Sequence, residues 1–114
     1  MLGCWLIGKW RVDFDAGWIE PRYQLRSHRL SVDARLLLVL ALLVKKAGQL
    51  ITAEEILDAA WTNRVVGRDS VSTAIYQLRQ ALGDDAQEPS YIRTEARRGY
   101  RLVAPVRRAG RTRF

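Results

Sequence analysis

Nine consecutive apolar residues, Leu36 to Val44, constrain this chain more than any other stretch. A bilayer span needs about twenty such residues, so the run is too short to cross a membrane. Arg35 precedes it and Lys45–Lys46 close it. A helix over residues 34–44, apolar on every side except at Arg35, is therefore expected to be buried all round. Ser31 is its expected cap, Asp33 lies in its first turn, and Gly48 supplies a left-handed stop. The rest of the chain must supply enough apolar surface to cover this helix.

With 114 residues, 48% hydrophobic and 27% charged, the chain is expected to build one globular core and not two. A secretory signal is not expected, because Lys9, Trp10 and Arg11 arrive before an apolar stretch has formed. One cysteine, Cys4, and one histidine, His28, cannot make an internal disulfide or a metal site. A reducing, cytoplasmic setting is expected, with no cofactor and no small-molecule substrate. The net charge of +7 lies wholly in residues 91–114, where eight arginines stand against Glu95 alone. A solvated basic tail would account for it. So would a polyanionic partner, since the guanidinium fork matches phosphate oxygens better than lysine does.

Trp5, Ile7, Trp10, Val12 and Phe14 alternate with polar or small residues, and turn signals follow at Asp15-Ala-Gly17 and Glu20-Pro21. Trp18–Ile19, Tyr23–Leu25 and Arg29–Leu30 could add further strands to a small antiparallel sheet packed on helices. Its tryptophans are read as packing residues before a binding platform. Thr52-Ala-Glu-Glu55 is a capping box, and Ile56, Leu57, Ala60 and Trp61 give the short helix after it one buried stripe. A loop from Thr62 to Arg68 should lead to a third helix, capped by Asp69, running to about Leu82 and stopped by Gly83. Tyr91–Glu95 and Tyr100–Val103 flank Ala96-Arg-Arg-Gly99, where the glycine can take the positive φ of a tight turn. The domain is expected over residues 1–106, with 107–114 a basic tail or the start of a linker.

On the third helix Val71, Ile75, Leu78 and Leu82 fall within about 60° of one another at about 100° per residue, one narrow apolar stripe. The opposite face carries Thr73, Tyr76, Gln77 and Gln80, with Ser72 and Arg79 on its flanks, and no acid. Hydroxyls, amides and a phenol are groups that read base edges or hold phosphates. An ordinary solvated face would mix glutamates with lysines, as the second helix does with Glu54, Glu55 and Asp58 exposed. A core helix, a short helix, a loop, an acid-free helix and an arginine-tipped hairpin follow one another in helix-turn-helix order. That order puts the third helix in a major groove and the hairpin beside the adjacent minor groove.

Val71-Ser-Thr-Ala-Ile-Tyr-Gln-Leu-Arg-Gln-Ala-Leu-Gly83, Tyr91-Ile-Arg-Thr94 and Arg98-Gly-Tyr-Arg-Leu102 together resemble the OmpR/PhoB-type winged-helix effector domain. Trp5-Leu-Ile-Gly-Lys-Trp-Arg-Val12 and Arg97-Arg-Gly-Tyr-Arg-Leu-Val-Ala-Pro105 are similar to its CadC/ToxR-like branch of membrane-tethered activators. The likeness covers about residues 5 to 106. It implies an α+β winged helix-turn-helix: an N-terminal four-stranded antiparallel sheet, three helices and a C-terminal β-hairpin wing. It also implies bacterial transcription regulation by binding double-stranded promoter DNA, through Ser72, Thr73, Tyr76, Gln77, Arg79 and Gln80 of the third helix and Thr94, Arg97 and Arg98 of the wing. RNA polymerase and a second protomer on DNA are further implied partners, with Val65 and Val66 in the loop as the contact; the same two valines could instead pack onto the domain. Response-regulator members carry Arg-Gly at the wing tip where Ala96-Arg97 stands here, which leaves both Arg97 and Arg98 as the groove arginine. Aspartyl phosphorylation within the chain is not expected, since no phosphoacceptor domain precedes the sheet. Membrane tethering would require the protein to continue past residue 114.

Two other classes compete. An enzyme would need converging acid, base or nucleophile groups, and His28, Cys4 and Asp84–Asp85 offer no such set, so no catalysis is expected. A winged-helix module that binds only protein would need an exposed apolar patch, for which Val65–Val66 is the main candidate.

Overall fold

The computed structural model describes residues 3–23, 29–62 and 65–109. Three short strands, β1 (Cys4–Ile7), β2 (Trp10–Asp13) and β3 (Trp18–Pro21), form an antiparallel meander that β4 (Leu30–Ser31) extends. Three helices follow: α1 (Ala34–Lys45), α2 (Ala53–Ala60) and α3 (Arg68–Leu82). Between α1 and α2 lies β5 (Leu50–Ile51). The chain closes with β6 (Ile92–Glu95), β7 (Gly99–Leu102) and β8 (Val106–Arg108). The last strand returns to pair antiparallel with β1, so the first sheet runs β4-β3-β2-β1-β8 and the second β5-β7-β6.

The core lies where the first sheet, the three helices and the hairpin meet. Ile7, Val12 and Ile19 from the sheet, Val39, Leu40 and Leu43 from α1, Ile75 and Leu78 from α3, and Ile92 and Leu102 from the hairpin are all fully buried in it. The expected strands at Trp5–Ile7, Trp10–Val12 and Trp18–Ile19 are present. Residues 24 and 25 of the expected Tyr23–Leu25 strand lie outside the described residues, as does His28. Trp5, Trp10 and Trp18 are half-buried. Trp10 donates its indole N–H to the Leu82 carbonyl (2.9 Å), satisfying an acceptor at the end of α3. The arginines of Arg29 and Arg108 stack on Trp18 and Trp5.

Several expectations need correction. The cap of α1 is Asp33, whose carboxylate accepts from the Arg35 N–H (2.8 Å); Ser31 is held in β4 by its pairing with Trp18. Burial of α1 is not complete: Leu38 is 50% exposed. The helix ends at Lys45, and Gly48 takes its positive φ in the following turn, donating to the Leu102 carbonyl. The four-stranded sheet is five-stranded, and the expected boundary after residue 106 falls inside β8, where Leu6 pairs with Arg107 and Trp5 with Arg108.

The capping box of α2 is as expected: Thr52 Oγ1 accepts from the Glu55 N–H, and Glu55 accepts from the Thr52 N–H (both 3.1 Å). Ile56, Ala60 and Trp61 are buried and Leu57 is half-buried. Arg35 ties α1 to the end of α2, donating to the Ala60 carbonyl (3.1 Å) while its guanidinium lies over the Trp61 ring. Lys46 pairs with Glu55 across the other end (3.1 Å). These two links hold α2 across α1, and α2 also packs directly against α3.

Candidate nucleic-acid interface

Helix α3 buries Val71, Ala74, Ile75, Leu78 and Leu82 and turns Ser72, Thr73, Tyr76, Gln77 and Gln80 to solvent. The apolar stripe read from the sequence is the buried one. The helix starts two residues earlier than expected: Gly67, not Asp69, is the N-cap, with no side-chain hydrogen bond, and Arg68 is the first residue. Asp69 is thus a first-turn residue instead of the cap. Two helical steps before Val71, at about 100° per residue, it falls in line with Tyr76 and Gln80. The face without an acid therefore begins at Ser70, not at the helix start. From this first turn Arg68 reaches across to Glu54 of α2 (2.5 Å). The same hydrogen bond holds the Glu54 carboxyl below its ordinary 4.5.

The hairpin of β6 and β7 stands beside α3. Ile92 pairs with Leu102 and Thr94 with Tyr100, and these four side chains share the face toward the helix. Arg93, Glu95 and Arg101 share the outer face. There Arg101 donates to Glu95 (2.5 Å) and to the Gly48 carbonyl (2.7 Å), and its hydrogen bond is the main cause holding the Glu95 carboxyl below its ordinary value. At the tip the Arg98 N–H donates to the Glu95 carbonyl (2.9 Å), closing a loop of Ala96, Arg97 and Arg98. Gly99 has the positive φ expected of it, and Arg97 is positive too, at +65° in the left-handed conformation. Gly99 is needed for a second reason besides its φ of +147°: a side chain on it would overlap the backbone carbonyl of Ile51 in β5.

Arg97 and Arg98 are exposed and form no ion pair among the described residues. They line a cleft together with Ser72, Tyr100, Arg68 and the carboxylates Glu54 and Glu95. The Ser72 and Tyr100 hydroxyls approach to 3.5 Å across it. Thr73 and Gln77 line a separate groove on the opposite flank of α3, with Arg35, Leu36 and Trp61. Tyr76 and Gln80 are exposed on the same helix.

Arg79 is the exception. Expected at the flank of the open face, it is turned to the wing, with its side chain 13% exposed. Its guanidinium donates to the Ile92 carbonyl (3.2 and 2.7 Å) and to Thr94 Oγ1 (2.8 Å), so Thr94 is engaged as well. Sequence reasoning also passed over Asp84 as a turn residue. Its carboxylate is fully buried and accepts from the backbone N–H groups of Ser90, Tyr91 and Ile92 (2.7, 3.1 and 2.9 Å). The position just after a left-handed Gly83 was the one available hint, since an Asp there can reach backbone donors.

Val65 and Val66 separate. Val65 is fully exposed, while Val66 is half-buried against the core. Cys4 is half-buried in β1. Among the described residues no group of three or more His, Cys, Asp or Glu is placed to hold a metal ion, and no helix is long and apolar enough to cross a membrane.

The family model described as transcriptional regulatory protein, C terminal, matches residues 27–102. The chain belongs to this family. It is a winged-helix domain of the OmpR/PhoB type, from transcription regulators and not from an enzyme family. Over 101 residues it is 30% identical to the transcriptional activator CadC of Escherichia coli, spanning 88% of this chain and 19% of that protein. Over 83 residues it is 34% identical to the transcriptional regulator HilA of Salmonella typhimurium, spanning 72% of this chain and 15% of that protein. The chain thus spans about a fifth or less of these relatives. Among solved structures, the DNA-binding domain of E. coli CadC superposes with a TM-score of 0.80 at 27% identity, over 94% of this chain and 97% of that one.

Proposed function

We propose that this domain regulates transcription by binding promoter DNA, with α3 in the major groove and the wing tip over the adjacent minor groove. The observation that carries this reading is the juxtaposition of two surfaces. Ser72 of α3 lines one cleft with Arg97 and Arg98, two guanidinium groups with no acid paired to them among the described residues, although Glu54 and Glu95 also line it. Thr73, Tyr76, Gln77 and Gln80 are exposed on the same helix. The helix surface suits base edges, and the two arginines suit the negative potential of a narrow minor groove. Asp69 at the start of α3 is compatible with it, as a carboxylate can accept from a cytosine amino group. The likeness to the CadC DNA-binding domain supports the same reading.

The test is duplex binding as salt is varied. If about five phosphates are neutralised, log K should fall against log salt with a slope near −4 to −5. Gln77→Ala or Thr73→Ala should relax preference at particular base pairs by roughly 1–3 kcal/mol, whereas Arg98→Ala should weaken all duplexes more evenly. Salt-independent binding, or helix substitutions that leave relative affinities among operator variants untouched, would defeat the assignment.

A second surface is favoured by one observation, the complete exposure of Val65 in the loop before α3. We assign it as the point where a protein partner, RNA polymerase or a neighbouring protomer, meets the bound domain. Val65→Ser should leave the melting temperature and single-site affinity unchanged and reduce transcription from a bound promoter, or the pairing of two protomers on DNA. Val66→Ser should lower the melting temperature instead. Full activation and full pairing by the Val65 variant would remove this surface from consideration. Binding of promoter DNA locates this activity in the cytoplasm, and any attachment to the inner membrane would come from sequence outside the span shared with the relatives.

A further inference from the structure

Behind the DNA-facing surface, two side chains join the end of α3 to the first strand of the wing. Arg79 sends three hydrogen bonds to β6, two to the Ile92 carbonyl and one to Thr94 Oγ1. Asp84, one residue past the helix stop, takes three backbone N–H groups from Ser90 to Ile92, and its Oδ2 lies 4.0 Å from Arg79 Nε. Both side chains are withdrawn from solvent, at 13% and 0% exposure, where charge-assisted hydrogen bonds are stronger than at a wet surface. β6 is an edge strand, paired only with β7, so its other edge would be unpartnered without these groups. Among the described residues, the one further hydrogen bond between α3 and the hairpin is the long Ser72–Tyr100 contact at 3.5 Å.

We propose that Arg79 and Asp84 are positioning residues that clamp the wing at a fixed distance from α3. The inference rests on the DNA-binding reading and adds to it a determinant of specificity. With the clamp closed, Arg97 and Arg98 reach the minor groove at one set spacing from the bases that α3 reads. The domain then measures the distance between two features of its operator, and the ordering of the wing is complete before DNA arrives. Neither residue touches DNA in this role. Opening the clamp leaves the hairpin attached through β5 and its apolar face, free to follow a displaced minor groove.

The experiment begins with the duplex that the unaltered domain enriches from a randomised pool. The A·T-rich minor-groove tract is then moved by one or two base pairs relative to the major-groove element. The unaltered domain should lose about tenfold or more in affinity, the scale of one mismatched position. Arg79→Lys and Arg79→Gln, checked for folding by thermal melting, should lose most of that discrimination, to about threefold or less, because neither can form the three-bond fork. Variants that keep the full spacing preference overturn the clamp. So does an unaltered domain that binds its selected duplex but tolerates the shift. A domain that enriches no duplex at all instead overturns the DNA-binding reading on which the clamp depends. If both variants unfold, residual dipolar couplings of the unaltered domain decide: the hairpin must keep one orientation relative to α3, free and DNA-bound, and a hairpin that reorients on binding overturns the proposal.

Discussion

Two neighbouring positions at the wing tip show how single residues are held to different standards. Gly99 has no room for a side chain, since one would run into the Ile51 carbonyl, and its φ of +147° is open mainly to glycine. Arg97, at φ +65°, occupies a left-handed conformation that a residue with a Cβ adopts at a cost of about 1–2 kcal/mol. A strained residue that persists at an exposed tip is the pattern expected where function sets the side chain. Gly99→Ala should therefore destabilise the domain by roughly 1–3 kcal/mol and shift the wing away from β5. Arg97→Gly should do the reverse, raising stability by up to about 1 kcal/mol while weakening duplex binding. Chemical denaturation of both variants, with DNA titrations alongside, checks the pair. An Arg97→Gly variant that binds DNA at full strength would leave Arg98 as the groove arginine. The sequence placed the turn between Glu95 and Gly99 and a positive φ on the glycine, but gave no sign of the left-handed Arg97. The contact with Ile51, some fifty residues earlier, is invisible to a local reading.

At the level of elements, α2 illustrates a helix whose start is written in four residues. Thr52 and Glu55 satisfy each other's backbone N–H groups, and Lys46 adds a charge from the end of α1. The Thr52 backbone hydrogen bond is the main cause lowering the Glu55 carboxyl from its ordinary 4.5, with Lys46 second. A folded-state pKa that is depressed contributes stability above the unfolded value and loses it as pH falls through the folded one. Stability should thus decline as pH drops below about 4.5, and Glu55→Gln should flatten part of that decline. Thr52→Ala should cost about 1 kcal/mol at neutral pH by removing the acceptor for the Glu55 N–H. A melting-temperature profile against pH for the three proteins measures both effects. An acid limb equally steep in the glutamine variant would mean that other carboxylates carry it, Glu54 and Glu95 being the next held down by arginines. The start of α3 lies two residues before the expected one. Aspartate is a better cap than glycine by only a few tenths of a kcal/mol, so the local sequence does not decide between Gly67 and Asp69, and Arg68 pairs with Glu54 from the first turn.

Across the whole molecule, the return of β8 to β1 brings the two ends of the domain together. Three residue pairs join these strands, and the Gly8 and Ala109 N–H groups add bonds to Pro105 and Cys4. Ending the chain at Pro105 would turn β1 into an exposed edge. Such a variant should melt at lower temperature, with faster amide exchange in β1 and unchanged exchange in α3. Unchanged protection of β1 would mean that β8 adds nothing to the sheet. The sequence by itself determined the three helices, the alternation of the first strands, the α2 cap, the buried stripe of α3 and the arginine-tipped hairpin. Each of these is encoded within about a dozen consecutive residues, through periodicity, caps and turns. Only the tertiary structure decided β5 and β8, two- and three-residue strands with too little length to carry a period and whose partners lie far along the chain. It also decided that Leu38 of α1 remains exposed, and it turned Arg79 from the DNA-facing surface to the wing. Arg79 is a long cation near the end of a helix, and nothing local distinguishes a carbonyl and a buried carboxylate from a phosphate as its partner. The fold places Ile92 and Asp84 within its reach, and a buried charge-assisted bond holds the side chain where solvent would have left it free.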